Sequence, residues 1–245
     1  MFHLDYRKAD REVYQRLTDS EPDFLHKVKR KLTGRKEKIY QEKDAIIFEP
    51  EVFQTDDVYM IGYFQSGRYF EKAVFDLRKD FTFAWNTFPE KAKKLREQMQ
   101  AESSVSLHIR RGDYMNGKFA SIYGNICTDA YYEAARRYMK EHFGDCRFYL
   151  FTDDAEWGRQ QESEDTVYVD ASEGAGAYVD MALMSCCRHH IIANSSFSWW
   201  GAWLDENPDK TVIAPAKWLN ISEGKDIYAG LCNCLIDANG SVQGE

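Results

Sequence analysis

From Ser103 onward, short apolar runs alternate with longer amphipathic windows. The runs are "SVSLHIRR", "RFYLFTDD", "TVYVD", "HHIIAN" and "KTVIAP"; the windows are "TDAYYEAARRYMKEHF", "DAEWGRQQ", "AGAYVDMALMSCCR" and "SWWGAWLDENP". Strand and helix in strict alternation predict a parallel sheet with helices on both faces. In "SVSLHIRR", the two-residue period puts Val105, Leu107, Ile109 and Arg111 on one face, and Ser106, His108 and Arg110 on the other. In the window opening at Thr128, that residue is an N-cap, and Tyr131, Ala134, Ala135 and Tyr138 share a face at helical spacing. The first hundred residues have a different texture. They are charged and helix-prone, with one strand-like stretch, "DVYMIGYF", from Asp57 to Phe64. No internal repeat interrupts either half.

The 245 residues, 44% of them hydrophobic, suffice for one large α/β domain or two small ones. A formal charge of −8 argues against nucleic acid as a partner, because phosphate backbones select basic surfaces. No run approaches the ~18 apolar residues of a membrane span, and the N-terminus lacks the apolar core of a signal peptide. A cytoplasmic protein is therefore expected. The six cysteines include an adjacent pair and a C-x-C, neither of which has zinc-site spacing; they read as free thiols in a reducing compartment. A basic run from Lys27 to Lys38 is taken first as a solvated helix or loop. Its sharper reading is a patch touching anionic lipid at the inner membrane face, or an acidic partner.

In parallel α/β sheets, ligands sit beyond the carboxyl ends of the strands, which here selects "RRGDY", "TDD" and "NSSFS". Two arginines and a histidine at one strand end favour anion binding. Arg110 or Arg111 can fork onto two phosphate oxygens, Gly112 allows a sharp turn, and Asp113 can brace an arginine or cap the next segment. The plainer alternative is an Arg111–Asp113 ion pair. The RGD triplet as an integrin ligand fits poorly with an acidic α/β chain. In "NSSFSWW", a helix starting near Phe197 or Ser198 offers free N–H groups and the hydroxyls of Ser195, Ser196 and Ser198 to an anion. Ordinary capping by Ser195 or Ser196 is an equal reading, and Trp199, Trp200 and Trp203 belong to the core. Asp153 and Asp154 suit a metal site, sugar hydroxyls or a helix N-cap, but the sequence points to no further oxygen ligands for a metal. Asp180 is a single carboxylate on a mostly apolar helix and needs a partner: a guanine edge with two adjacent donors, or an arginine.

"VSLHIRRGDY", "FYLFTDDAEW", "YVDMALMSCCRHHIIANSSFSWWGAWL" and, upstream, "IGYFQSGRYF" closely resemble the bacterial alpha-1,2-fucosyltransferases, from about Tyr59 to Leu219. The resemblance implies an α/β, GT-B-like fold of two Rossmann-like lobes: a partial acceptor-side lobe over 1–102 and a doubly wound donor lobe over 103–245. It implies GDP-β-L-fucose as donor, a galactose-terminated glycan as acceptor, inversion at the anomeric carbon, and neither cofactor nor obligatory metal. By motif, Arg110 corresponds to the donor-phosphate arginine, with His108 and Arg111 beside it. Ser195, Ser196, Phe197 and Ser198 correspond to the phosphate-binding loop, Asp180 to the guanine reader, and Asp153 and Asp154 to an acidic pair lining the donor pocket. Asp113 is the weak candidate for a base, or for orienting Arg110.

One departure stands out. The family's usual glycine-rich opening, resembling "GGLGNQMFQYA", does not occur here. The expectation is an intact donor half, an incomplete acceptor half, and GDP binding retained more readily than transfer. The alternative function is a catalytically impaired GDP-sugar-binding remnant or scaffold; a transferase making another linkage ranks below it.

Overall fold

A computed structural model describes Phe2, residues 7–112 and residues 119–243. In chain order these contain α1 (Arg11–Leu17), α2 (Phe24–Thr33), β1 (Ile39–Gln41), β2 (Tyr59–Ile61), α3 (Val74–Asp80), α4 (Glu90–Ala101) and β3 (Ser104–Ile109). Then come α5 (Ala120–Tyr123), α6 (Asp129–Phe143), β4 (Arg147–Thr152), α7 (Ala155–Gln160), β5 (Thr166–Tyr168), α8 (Tyr178–Met184) and β6 (His189–Ile191). The chain closes with α9 (Ser196–Leu204), β7 (Val212–Pro215), β8 (Cys234–Ile236) and β9 (Val242–Gln243).

The main sheet has the order β5-β4-β3-β6-β7-β8-β9, parallel throughout except for the antiparallel β9 at its edge. The predicted face alternation is present. Val105, Leu107, Phe148 and Leu150 pack with Tyr131, Ala134, Ala135 and Met139 of α6. Tyr149 and Phe151 point to the opposite face, against Met99 of α4 and Val179, Ala182 and Leu183 of α8. Trp199 and Trp203 of α9 bury against Ile192, Val212, Ala214 and Trp218, and Trp200 is half-buried beside them. Thr128 caps α6 by accepting from the Tyr131 N–H at 3.2 Å. All six cysteines are free.

The first half departs from expectation. It holds two strands where one was predicted, and β1 pairs with β2 in parallel, apart from the main sheet. "KIYQEK" is too short and too charged to show a period. This half is tied to the main sheet by α4, whose Ala92 and Met99 are buried with Tyr149 and Phe151, by α3, whose Val74 and Leu77 pack on the α9 cluster, and by its loops. Ile46 is buried in the α9 cluster, Arg68 pairs with Asp226 at 2.8 Å, and Ser222 donates to Asp44 at 2.7 Å.

Candidate functional site: a crevice at the sheet switch point

Because β4 and β5 lie on one side of β3 while β6, β7 and β8 lie on the other, the strand order reverses between β3 and β6. In open α/β sheets that reversal leaves a crevice at the carboxyl edge where ligands bind. The two stretches singled out as anion-binding, "HIRRGDY" and "NSSFS", leave this edge from the two strands flanking the reversal, which are paired Leu107 to Ile191. Their proximity is direct: the rings of His108 and Phe197 are 5.7 Å apart.

Asp153 and Asp154 serve the arginines. Asp153 accepts the Arg111 and Gly112 backbone N–H groups at 2.9 and 3.0 Å, and pairs with Arg110 Nε at 3.2 Å. A side chain on Gly112 would put its Cβ 2.5 Å from the Asp153 carboxylate, so this close approach needs glycine. Asp154 takes Arg111 Nε at 3.2 Å and caps α7 by accepting from the Trp157 N–H at 3.0 Å. The Arg111 guanidinium also lies over the Trp157 ring at 4.4 Å, a cation–π contact that fixes its plane. Asp154, then, is the partner recorded for Arg111, while Asp113 lies outside the described residues. Arg110 stays about one-third exposed (34%) at the crevice.

The turn before α9 bears on the choice between capping and an open amide cradle. The helix begins at Ser196, earlier than predicted, and its N-cap Ser195 makes no side-chain capping bond. Among the described residues Ser195 thus leaves the first-turn N–H groups without its hydroxyl as a cap, and an anion beyond such a helix end is favoured by about 0.3–1 kcal/mol. Ser196 is exposed and Phe197 half-buried. Ser198 is a correction: it is buried and its hydroxyl donates to the Ser195 carbonyl at 3.2 Å, so that oxygen braces the turn from inside. Asn194 holds the turn's root, its amide donating to the Tyr123 and Trp218 carbonyls at 3.1 Å.

His108 is only 4% exposed, and among the described residues its Nδ1 has no hydrogen-bond partner. Burial, with Arg110 nearby, pushes its pKa down to about 4, so the ring is neutral at pH 7. Asp180 is half-buried on α8, and among the described residues no arginine or lysine pairs with it. Burial and the neighbouring Asp170 raise its pKa to about 6.

A cavity of about 680 Å³ opens on the α6–α7 side, lined by Arg110, Arg111, Tyr132, Arg136 and Trp157 among others. Its lining includes no residue of α9. Among the described residues no group of three or more His, Cys, Asp or Glu side chains is placed to hold a metal ion, and no helix is long and apolar enough to cross a membrane.

Sequence reasoning missed the supports. Tyr132 donates to the His108 carbonyl at 3.1 Å, and Trp157 backs Arg111. A buried chain runs from the Ser106 hydroxyl to His190 Nδ1 at 2.8 Å, and from His190 Nε2 to Asp205 at 3.0 Å. It has the connectivity of a hydrolase triad, but His190 is fully buried (0%), so no substrate reaches it and the chain is structural. Period-two reading placed Ser106 on the polar face, a usable signal; nothing in the sequence linked it to His190.

The profile of Glycosyl transferase family 11 matches residues 29–228. An alpha-1,2-colitosyltransferase of Escherichia coli is 41% identical over 172 residues, covering 68% of this chain and 58% of that protein. The Escherichia coli O-antigen biosynthesis glycosyltransferase WbnK is 42% identical over 118 residues, 47% of this chain and 39% of that protein. Galactoside alpha-(1,2)-fucosyltransferase 1 of Ateles belzebuth is 25% identical over 152 residues, 58% of this chain and 42% of that protein. The chain thus spans little more than half the length of the first of these, and less of the others. A crystal structure of the fucosyltransferase NodZ from Bradyrhizobium overlaps 45% of this chain and 39% of its own at 19% identity and a TM-score of 0.29, too slight a likeness to bear on the fold.

Proposed function

Because this chain belongs to glycosyl transferase family 11, we propose that it is an inverting, GT-B-type galactoside alpha-1,2-fucosyltransferase. It takes L-fucose from GDP-β-L-fucose to O2 of a terminal galactose, in the cytoplasm, during glycan or surface-polysaccharide synthesis. The observation that carries this reading is that the arginine and serine loops leave the two strands flanking the sheet reversal, with the His108 and Phe197 rings 5.7 Å apart.

The acceptor oxygen attacks fucose C1 from the face opposite the nucleotide. The O2–C1 bond forms, the C1–O bond to the β-phosphate breaks, and its electron pair goes to the departing GDP. Negative charge grows where the Arg110 guanidinium and the amides of Ser196 and Phe197 converge. Fixed donors of this kind are worth about 2.7–4 kcal/mol each in activation. Asp153 and Asp154 hold the arginines in place, His108 offers a neutral hydrogen-bonding ring beside them, and Asp180 accepts from guanine N1–H and its 2-amino group. The acceptor proton is assigned to Asp113 only by that residue's place in "HIRRGDY". No divalent cation or cofactor enters the scheme.

The name of the colitosyl relative gives a second donor reading: a GDP-linked deoxy relative of fucose. The competing function is a nucleotide-sugar-binding scaffold without turnover. Incubation with GDP-fucose or GDP-colitose and lactose or lacto-N-biose, with nucleotide binding followed by calorimetry and Arg110→Ala in parallel, tests all three. An alpha-1,2-fucosylated product lost in the variant supports the proposal. Product from GDP-colitose alone moves the assignment to the second reading, and nucleotide binding without product moves it to the third.

A further inference from the structure

Helix α2 is turned inside out. Its sequence, "FLHKVKRKLT", puts Phe24, Leu25, Val28 and Leu32 within one stripe about 100° wide. In a soluble domain such a stripe faces the core. Here Phe24, Leu25 and Leu32 are 77%, 77% and 79% exposed, and no residue of the helix is buried. The face that meets the protein is the polar one. Arg30 donates to the Glu21 carbonyl at 2.8 Å and lies 3.7 Å from both Asp19 and Glu21 carboxylates. Asp23 caps the helix by accepting from the His26 N–H at 3.0 Å and also takes the His26 ring.

Charge is arranged around the same stripe. At helical spacing, Lys27 and Lys31 border it on one side and Lys29 on the other, and the chain continues through Arg35, Lys36 and Lys38. Seven basic residues and one glutamate fall between Lys27 and Lys38, within a chain whose net charge is −8. The exposed residues of β2, Tyr59, Met60 and Ile61, lie in no such basic run, so exposure alone does not explain the pattern. Apolar side chains rimmed by lysines match an acyl boundary beneath anionic headgroups, in the way of helices that lie in the interface plane.

We infer that α2 and the basic segment after it form a docking surface for anionic phospholipid. Phe24, Leu25, Val28 and Leu32 insert at the headgroup boundary, and the flanking lysines and arginines meet lipid phosphate. This surface is independent of the transferase reading; it would hold the protein at a membrane whatever the crevice binds.

The test is sedimentation of the full chain with vesicles of phosphatidylcholine alone or mixed with phosphatidylglycerol, at low and high salt. Binding is expected to be on the order of tenfold stronger to the mixed vesicles and to weaken with salt. The triple variant Phe24→Ser/Leu25→Ser/Leu32→Ser and the double variant Lys27→Glu/Lys31→Glu should each lose most of it. Their circular dichroism and GDP affinity, by calorimetry, should be unchanged. The inference is overturned if the folded wild type stays in solution with both vesicles, if it binds both equally, or if either variant binds like wild type. It is equally overturned if the stripe proves to join two copies, so that wild type is dimeric and the triple variant monomeric without lipid present. Undiminished retention of the triple variant on polyglutamate, with no vesicle binding by wild type, would assign the surface to an acidic protein. Loss of nucleotide affinity along with vesicle binding would show that α2 supports the fold, and would also overturn the inference.

Discussion

The two sheets of this molecule solve the same problem differently. In the main sheet, Ser104 through His108 are all buried, as are Phe148 through Phe151, because helices cover both faces. In the small sheet, Tyr59, Met60 and Ile61 are all exposed, and two three-residue strands pair under slight cover, the Tyr14 ring of α1 meeting Tyr59 edge-on at 5.4 Å. A parallel pair of that size buries too little to stand alone, so its place depends on loops such as the one carrying Ile46 to the α9 cluster. The difference teaches where rigidity is available. The arginine and serine loops grow from the sealed sheet, while the exposed α2 and β2 belong to the part held by few anchors.

The comparison breaks most visibly if the buried polar chain under the site is not structural. His190→Ala removes the ring from one oxygen of the buried Asp205 carboxylate, the other keeping the Asn207 N–H at 2.9 Å. Loss of a hydrogen bond to a charged group typically costs about 1.5–3 kcal/mol. A fall of that size in urea-unfolding free energy is expected; a loss under about 1 kcal/mol would mean the main sheet is looser than described.

Asp180 sharpens the contrast between stability and function within the sealed half. Its pKa is raised to about 6 from 3.8, so the ionised form is disfavoured by folding. Stability is reduced above pH 6, is regained as pH falls through 6, and levels off below 3.8. Asp180→Asn is therefore expected to stabilise the protein at pH 7 by about 1–2 kcal/mol, allowing for screening at a partly exposed site. The same change should weaken GDP binding about tenfold, by loss of a charge-assisted bond. GDP affinity of the wild type should fall as pH drops below 6, followed by calorimetry. A destabilised variant with unchanged nucleotide affinity would assign Asp180 a structural partner instead.

The smallest effect belongs to the other sheet. Met60→Ser should shift stability by less than about 0.5 kcal/mol, measured by thermal unfolding. A cost near 2 kcal/mol would mean that β2 is covered and that the contrast with the main sheet is false.

Much of the sealed sheet was legible because buried parallel strands are long apolar runs with turn residues at their ends. The place of the candidate loops at the carboxyl ends of the strands followed with it. The Arg110–Asp153 and Arg111–Asp154 pairs were not legible, since partners some forty residues apart meet only through the register of β3 with β4. Ser198 misled because a serine in the first turn of a helix reads the same whether its hydroxyl faces a ligand or its own backbone. In the first half, β1 escaped because three residues carry no period. The solvated character of the Lys27–Lys38 run was legible, but the outward turn of the apolar stripe of α2 escaped because an amphipathic pattern does not say which face meets the protein.

The central claim is that a nucleotide's pyrophosphate sits between Arg110 and the first turn of α9. A crystal structure with GDP bound tests it most directly. The account expects phosphate oxygens about 2.7–3.2 Å from the Arg110 guanidinium and from the Ser196 and Phe197 amides. GDP lodged instead in the α6–α7 cavity, with the α9 turn untouched, would contradict it.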